Sequence, residues 1–384
     1  MVDAAGESWA MGDVRPGNDT AGAASPVMVR HALGRYPVYV EPGGLGRLEA
    51  LVAEYLGASR AVMIADASVH ALLQAGRLGR ARWAGAALTF PPGEPSKTRE
   101  QWARLTDLLL DQGYGRDTGI VALGGGVAGD LAGFVAATYM RGLRYVQVPT
   151  SLLAMLDASV GGKTGVDTPE GKNLIGAFHP PAAVLADPRA LATLPERELR
   201  GGMAEAVKHG LIADAGYFEW MEHEADALLQ RDEAALAHLV RRSVEIKAEV
   251  VSGDERESGR RAILNAGHTV AHALERVTAY GIPHGEAVAL GLVAECALAE
   301  GLGVAASGLG ARVAALLSRL GLPVRLAEPV AADALVSAMA TDKKNRAARV
   351  RFALPSVLGS MDPGDQWTRE APGPAIREAL GGIA

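Results

Sequence analysis

Between about residues 27 and 190, short apolar runs of strand length alternate with stretches whose apolar residues recur at helical spacing. The runs are "RAVMIAD", "AALTFPP", "GIVALGGG", "RYVQVPTS" and "AAVLADP"; between several of them lie "VHALLQAGRLGRARW", "REQWARLTDLLLDQG" and "GDLAGFVAATYM". That alternation predicts a parallel sheet flanked by helices. Beyond "TLPERELRGG" long Ala-, Leu- and Glu-rich helical segments take over, and only "VRFALPSVLG" reads as a late strand pair. The pattern therefore predicts an α/β domain over 27–190 and a mainly helical domain over 191–384, with no internal repeat. Residues 1–26 are rich in Gly, Ala, Ser and Asp and hold no apolar run of signal-peptide length, so they read as a disordered leader.

Composition narrows the function. At 384 residues the chain exceeds one ordinary core, and 49% hydrophobic with 21% charged residues is the balance of a soluble globular protein. A net charge of −6 speaks against general nucleic-acid binding, which needs a basic surface. The most apolar late stretch, "AVALGLVAECALAEGLGVAA", carries Glu295 and Glu300, as suits a buried helix and not a membrane span. The single cysteine, Cys296, excludes an intramolecular disulfide and fits a reducing, cytoplasmic setting; its apolar flanks predict a packed thiol.

Three stretches carry chemistry. In "VALGGGVAGDLAGF", Gly124, Gly125 and Gly126 end a strand, and Gly129 and Asp130 open the next helix. Glycines there let a backbone approach phosphate, and the helix start presents unpaired N–H groups, although the spacing departs from GxGxxG. Asp66 ends an earlier strand, where a carboxylate can hold a ribose, and "GEPSKT" supplies Glu94 and Lys97 after another. The second stretch, "PTSLLAMLDASVGGKTGVDTPEGKNLIGAFHPP", spaces Asp157, Lys163, Lys172 and Asn173 with glycines in a form that makes poor helix and poor strand. Lysines act as point charges for phosphate, so in an acidic chain this cluster predicts a small anionic ligand.

The third lies in the helical half. "LRGGMAEAVKHGLI" puts Glu205, Lys208 and His209 on one helix at i, i+3 and i+4, and "NAGHTVAHALE" aligns His268 with His272, while His284 begins a further helix. A carboxylate with two histidines suits Zn²⁺ or a similar divalent ion and leaves a position open for substrate. Spacing alone does not select two ligands from these histidines.

Taken together, "GGGVAGDLAGFVAATYMRGLRYVQVPTSLLAMLDASVGGKTGVDTPEGKNLIGAFH", "TLPERELRGGMAEAVKHGLI", "ILNAGHTVAHALE" and "HGEAVALGL" resemble the 3-dehydroquinate synthases, in register from about residue 60 to 303, and "DKKN" near residue 342 extends the likeness. The resemblance implies a Rossmann-like NAD-binding α/β domain, a helical metal- and substrate-binding domain, a divalent metal (zinc or cobalt) and a homodimer. It makes Glu205, His268 and His284 the metal ligands, turns His272 toward substrate and leaves His209 a neighbour. It puts Asp157, Lys163, Asn173, Lys208, Arg261, Asn265 and one of Lys343 and Lys344 in the substrate pocket, with Arg141 reaching the partner subunit's site. Nucleotide contacts then fall on Asp66, Glu94, Lys97, Gly125, Gly126, Asp130, Thr150, Ser151, Lys163 and Lys172. The implied reaction converts 3-deoxy-D-arabino-heptulosonate 7-phosphate to 3-dehydroquinate and phosphate in the shikimate pathway. Another sugar-phosphate cyclase, a metal-dependent polyol dehydrogenase and a non-catalytic binding protein are the competing classes; the intact lysine set and unbroken ligand set favour the 3-dehydroquinate synthase reading over all three.

Overall fold

The structure, a computed structural model, describes residues 25–32, 34–254, 259–340 and 350–384. Most of the expected leader, and both Lys343 and Lys344, lie outside the described residues.

The first half runs β1 (Val27–His31), β2 (Gly34–Val40), α1 (Leu48–Leu56), β3 (Arg60–Asp66), α2 (Ala67–Gln74), β4 (Ala86–Phe90), α3 (Arg99–Asp111), β5 (Thr118–Gly124), α4 (Gly126–Thr138), β6 (Tyr145–Pro149), β7 (Lys163–Thr168), β8 (Gly171–Phe178) and β9 (Ala183–Ala186). Each of the five strand-length runs quoted from the first half holds a strand. β5 is buried along its whole length, as a parallel strand covered on both faces must be. Helix starts follow capping chemistry: the Asp66 carboxylate accepts from Ser68 N–H at 2.8 Å to open α2, and Thr98 accepts from Gln101 N–H at 3.2 Å to open α3.

Seven strands form one sheet in the order β1-β2-β9-β6-β5-β3-β4. β1 and β2 are antiparallel and the rest parallel. The chain steps from β3 out to β4, then back past β3 to β5. The carboxyl ends of β3 and β5 thus flank a topological switch point, where open α/β sheets bind ligands.

The second half is α5 (Glu196–Ala213), α6 (Ala215–Leu229), α7 (Glu233–Gly253), α8 (His268–Val277), α9 (His284–Gly301), α10 (Leu309–Arg319) and α11 (Ala332–Ala340), then four short strands and α12 (Gly373–Gly381). Asp214 ends α5 and opens α6 by accepting from Tyr217 N–H at 3.0 Å. α5 and α9 touch at Gly201 and Gly285, where a Cβ on Gly285 would overlap the Gly201 backbone. That glycine contact brings the Glu205 helix against the start of α9. Among the described residues, no helix is long and apolar enough to cross a membrane. Cys296 is fully buried in α9, and burial pushes its thiol up, as expected of a packed group.

Two expectations need correction. The segment read as poor helix and poor strand forms a π-helical turn at Ala154–Ala158 and then the β7–β8 hairpin. The glycines that blurred the pattern, Gly165 and Gly176, lie directly opposite each other in its ladder, so they are paired strand positions and not loop. "VRFALPSVLG" does not pair with itself: β10 (Arg351–Phe352) pairs with β13 (Arg369–Glu370), and β11 (Pro355–Val357) with β12 (Ser360–Met361). Nearby alternation of apolar and polar residues marked the strands but not their partners, which lie further along the chain.

Apolar packing does not divide near residue 190. One cluster, containing Val62, Ile64, Leu105, Ile120 and Leu131, fills the space under α3 and α4. The other runs from Val29 through Val184, Val207 and Leu292 to Ile383, joining sheet and helices in one core.

Candidate active site

Three helices deliver one carboxylate and two imidazoles to a point. Glu205, wholly buried on α5, has its Oε1 3.4 Å from His268 Nε2 and 3.3 Å from His284 Nε2. His268 and His284 are the first residues of α8 and α9. His268 Nδ1 lies 3.1 Å from the Ala266 carbonyl and His284 Nδ1 3.3 Å from Glu275 Oε1. Each ring therefore spends Nδ1–H on an acceptor and turns Nε2 inward, the orientation metal-binding histidines require. The start of α8 is itself pinned: buried Glu295 on α9 accepts from Gly267 N–H at 2.7 Å and Val270 N–H at 3.2 Å.

Electrostatics agree with a cation at this point. Burial opposes the Glu205 charge, but Lys208, His268 and His284 hold its carboxyl well below the usual range. Lys208 pairs with Glu205 Oε2, yet neither carboxylate oxygen has a well-formed hydrogen bond. Burial and then Lys208 lower His268 to about 4, so it is neutral, as a ligand must be. Burial would also lower His284, but Glu205 and Glu275 outweigh it and push that ring up to about 10. Two carboxylates thus hold a proton where a divalent ion would supply the positive charge. This donor set fits such an ion.

A second grouping, Asp157, Glu205 and His209, is also compact. Its charges point elsewhere. Lys247 Nζ lies 2.8 Å from Asp157 Oδ1, and Lys247 and Lys208 together hold Asp157 ionised against the cost of burial. His209 Nε2 is 3.8 Å from Asp157 Oδ1, and burial followed by Lys208 lowers this ring to about 3. Two ammonium groups already occupy the place a second cation would need.

Lys247 was not found from the sequence. It sits on α7 between Val244 and Val251, a buried lysine inside an apolar stripe, and that break in the stripe was the available signal. Glu275 and Glu295 were missed as positioning groups for the same reason: each is one charge inside a buried helix face. Arg261, also buried, packs on the backbone at Gly161, whose φ of 110° favours glycine and where a Cβ would sit 2.7 Å from the Arg261 Nη2. Asn265 closes the same 3₁₀ turn as Arg261. His272 is one helical turn from His268, with ring centroids 5.5 Å apart, and stays outside the Glu205 triad.

The nucleotide candidates gather at the switch point. Gly125 caps α4 without a side-chain bond. Asp66 stands at the end of β3, and Thr150 donates its N–H to the Gly124 carbonyl at 2.9 Å, with Ser151 against Gly125. Lys97 is buried with its Nζ 2.5 Å from both Asp130 Oδ2 and Asn173 Oδ1; burial works against its charge, but Asp130 and Glu94 keep it protonated. Asn173 is thereby tied to the nucleotide candidates, although it was expected on the substrate side. Lys163 is exposed at the start of β7, and Arg141 lies on the exposed turn after α4 with φ 70°. Elsewhere a cavity of about 380 Å³ is lined by Arg197, Arg200, Glu196 and Glu286, but these charges pair with one another and offer no reactive group.

The fold that carries this triad is shared with solved structures of dehydrogenases and of sugar-phosphate cyclases. A probable glycerol dehydrogenase from Sinorhizobium meliloti 1021 shares the fold, at TM-score 0.55 and 20% identity over 89% of this chain and 94% of that one. A 2-deoxy-scyllo-inosose synthase solved with carbaglucose-6-phosphate, NAD⁺ and Co²⁺ is more similar, at TM-score 0.82 and 26% identity over 93% and 99%. A 2-epi-5-epi-valiolone synthase from Streptomyces hygroscopicus subsp. jinggangensis 5008, with NAD⁺ and Zn²⁺ bound, gives 0.79 and 30% over 91% and 96%. Family models for the 3-dehydroquinate synthase N-terminal and C-terminal regions match residues 87–201 and 202–345. The 3-dehydroquinate synthase of Halorhodospira halophila is 46% identical over 90% of this chain and 97% of that protein, and that of Caulobacter vibrioides 48% over 84% and 90%. The chain belongs to the 3-dehydroquinate synthase family.

Proposed function

We propose that this enzyme converts 3-deoxy-D-arabino-heptulosonate 7-phosphate to 3-dehydroquinate and phosphate, with NAD⁺ as a recycled cofactor and Zn²⁺ or Co²⁺ held by Glu205, His268 and His284. One observation carries the reading: buried Lys208 at the triad, with Lys247 and Arg261 buried close enough to feel each other's charge, sets three cations against Glu205 and Asp157, an excess that a neutral polyol would not need. When bound, the metal supplies Lewis acidity and the nucleotide a reversible hydride acceptor.

The chain's own groups do the rest. Lys208, Lys247 and Arg261 hold the substrate carboxylate and ring oxygens, and Asp157 keeps Lys247 in place through their 2.8 Å pair. Lys163, His272 and one of Lys343 and Lys344 grip the phosphate, and Asn173 offers it the amide N–H groups while its Oδ1 stays with Lys97. Held this way, the phosphate leaves by elimination, one of its own oxygens taking the adjacent carbon-bound proton. Substrate and products stand at the same overall oxidation level, so no net electrons leave the site. Asp66, Glu94, Lys97, Gly125, Gly126, Asp130, Thr150, Ser151, Lys163 and Lys172 form the nucleotide side. Residues 27–190 form the nucleotide-binding unit and 191–384 the metal- and substrate-binding unit, and the enzyme works in the cytoplasm as a homodimer.

Stoichiometry tests this reading. With substoichiometric NAD⁺, each substrate consumed should yield one phosphate over many turnovers while absorbance at the NADH band stays flat. NADH accumulating in step with substrate loss would replace the cyclase by a polyol dehydrogenase. The shared site has its own test. Inactive Arg141→Ala and inactive Lys208→Ala proteins, mixed under conditions of demonstrated subunit exchange, should regain up to about a quarter of wild-type activity, because random pairing leaves one hybrid site intact in half the dimers. No recovery would place Arg141 outside the partner's site.

A further inference from the structure

One carboxylate touches both the metal side and the nucleotide side. Glu275 on α8 is 4% exposed, and its Oε1 lies 3.3 Å from His284 Nδ1 and 3.6 Å from Lys172 Nζ. Lys172 belongs to the β7–β8 hairpin of the first half, and its Nζ is also 3.6 Å from Glu94 Oε1. The Tyr280 ring covers this ammonium, its centroid 4.5 Å away. The α8–α9 connection presents that ring through consecutive left-handed residues, Ala279 at φ 49° and Tyr280 at φ 62°, and Tyr280 N–H returns to the Glu275 carbonyl at 2.6 Å. Glu94, Lys172, Glu275, His284 and Glu205 thus form an unbroken line of polar contacts from sheet edge to triad.

The two partners of Glu275 compete. Both His284 Nδ1–H and the Lys172 ammonium address the same oxygen, Oε1. A carboxylate shared with an ammonium is a weaker acceptor for the imidazole. When Lys172 swings to an anionic nucleotide, Glu275 turns wholly to His284, the ring becomes a better Nε2 donor, and a cation leaves the neighbourhood of the triad. Each change strengthens metal binding.

We propose that Glu275 is a positioning residue that couples the two sites: NAD⁺ binding, by drawing off Lys172, tightens metal binding at Glu205, His268 and His284, and by reciprocity the metal tightens NAD⁺ binding. This rests on the metal and nucleotide assignments proposed above.

Co²⁺ titration of the metal-free full-length protein, read by ligand-field absorption with and without NAD⁺, tests it without any turnover. In the wild type NAD⁺ should tighten Co²⁺ about five-fold or more. Lys172→Met, a change at a partly exposed side chain, should bind Co²⁺ without NAD⁺ as tightly as the wild type does with it, and gain nothing further from NAD⁺. Glu275→Ala should weaken Co²⁺ about 10- to 100-fold and alter the spectrum, as loss of a histidine's outer partner does. Glu275→Gln keeps an oxygen for Nδ1–H and should recover much of that affinity, but show no NAD⁺ effect. The inference falls if Glu275→Ala matches the wild type in affinity and spectrum, or if Lys172→Met keeps the full NAD⁺ effect. Absence of any Co²⁺ binding in the wild type, a different result, would remove the metal assignment and the coupling with it.

Discussion

Glu205→Ala will retain no stoichiometric zinc or cobalt after gel filtration, and its phosphate release will fall by well over 100-fold, past the range typical of lost outer-sphere partners. The carboxylate is the only acid in the triad and the point on which both Nε2 atoms converge. Removing it also leaves buried Lys208 without its nearest counter-charge, which is costly in itself. Glu205→Gln separates these effects: it preserves shape and still loses the metal. His268→Ala and His284→Ala should each lose the metal too, whereas His209→Ala should keep it, because that ring faces Asp157. Metal analysis alongside circular dichroism checks the set. Metal lost from His209→Ala but kept by His284→Ala would reassign the site.

The second large effect is expected at a residue with no side chain. Gly285→Ala puts a methyl group into the Gly201 backbone, and neither helix can relieve the overlap by a rotamer change. Separating α5 from α9 should cost about 3 kcal/mol or more. It should also weaken metal binding, since Glu205 and His284 ride on the two helices being forced apart. Gly301→Ala, at the other end of α9 with nothing within 4 Å of the added carbon, is the control and should shift stability by no more than about 1 kcal/mol. Thermal unfolding with a parallel metal titration reads both. Equal midpoints for the two variants would mean that the α5–α9 contact is not tight in solution.

The strands and long helices were legible because each advertises itself locally. Val62, Met63 and Ile64 form a run that only a buried strand or helix accommodates, and seven residues is too short for the latter. The β7–β8 hairpin was illegible because its signal is a pairing: Gly165 means nothing until Gly176 is opposite it. Residue types and spacing proposed a metal at Glu205 and two of three histidines, and family resemblance chose His268 and His284. The structure brings those two to Glu205, while the positions of Lys247 and Glu275 emerge only when α7 and α8 are packed. A lone charge in an apolar stripe looks like a pattern error until its partner, here Asp157 or His284, arrives from a distant segment. Asn173 shows the reverse: its residue type suited phosphate, but its bond to Lys97 is set by the hairpin's pairing with the Lys97–Thr98 segment, where Asp167 N–H donates to the Lys97 carbonyl at 2.7 Å.

The continuous core carries a consequence for how this chain is made. β1, β2 and the turn after β6 pack against α5 and α7, so part of the sheet's burial is supplied by residues translated later. At typical elongation rates the helical half takes roughly 10 to 40 s to follow β9 off the ribosome. Through that interval Val29, Val38 and Leu156 lack the surfaces that cover them in the finished protein. The nascent sheet is therefore expected to bind holding chaperones, and a fragment ending near residue 190 to expose an open apolar flank.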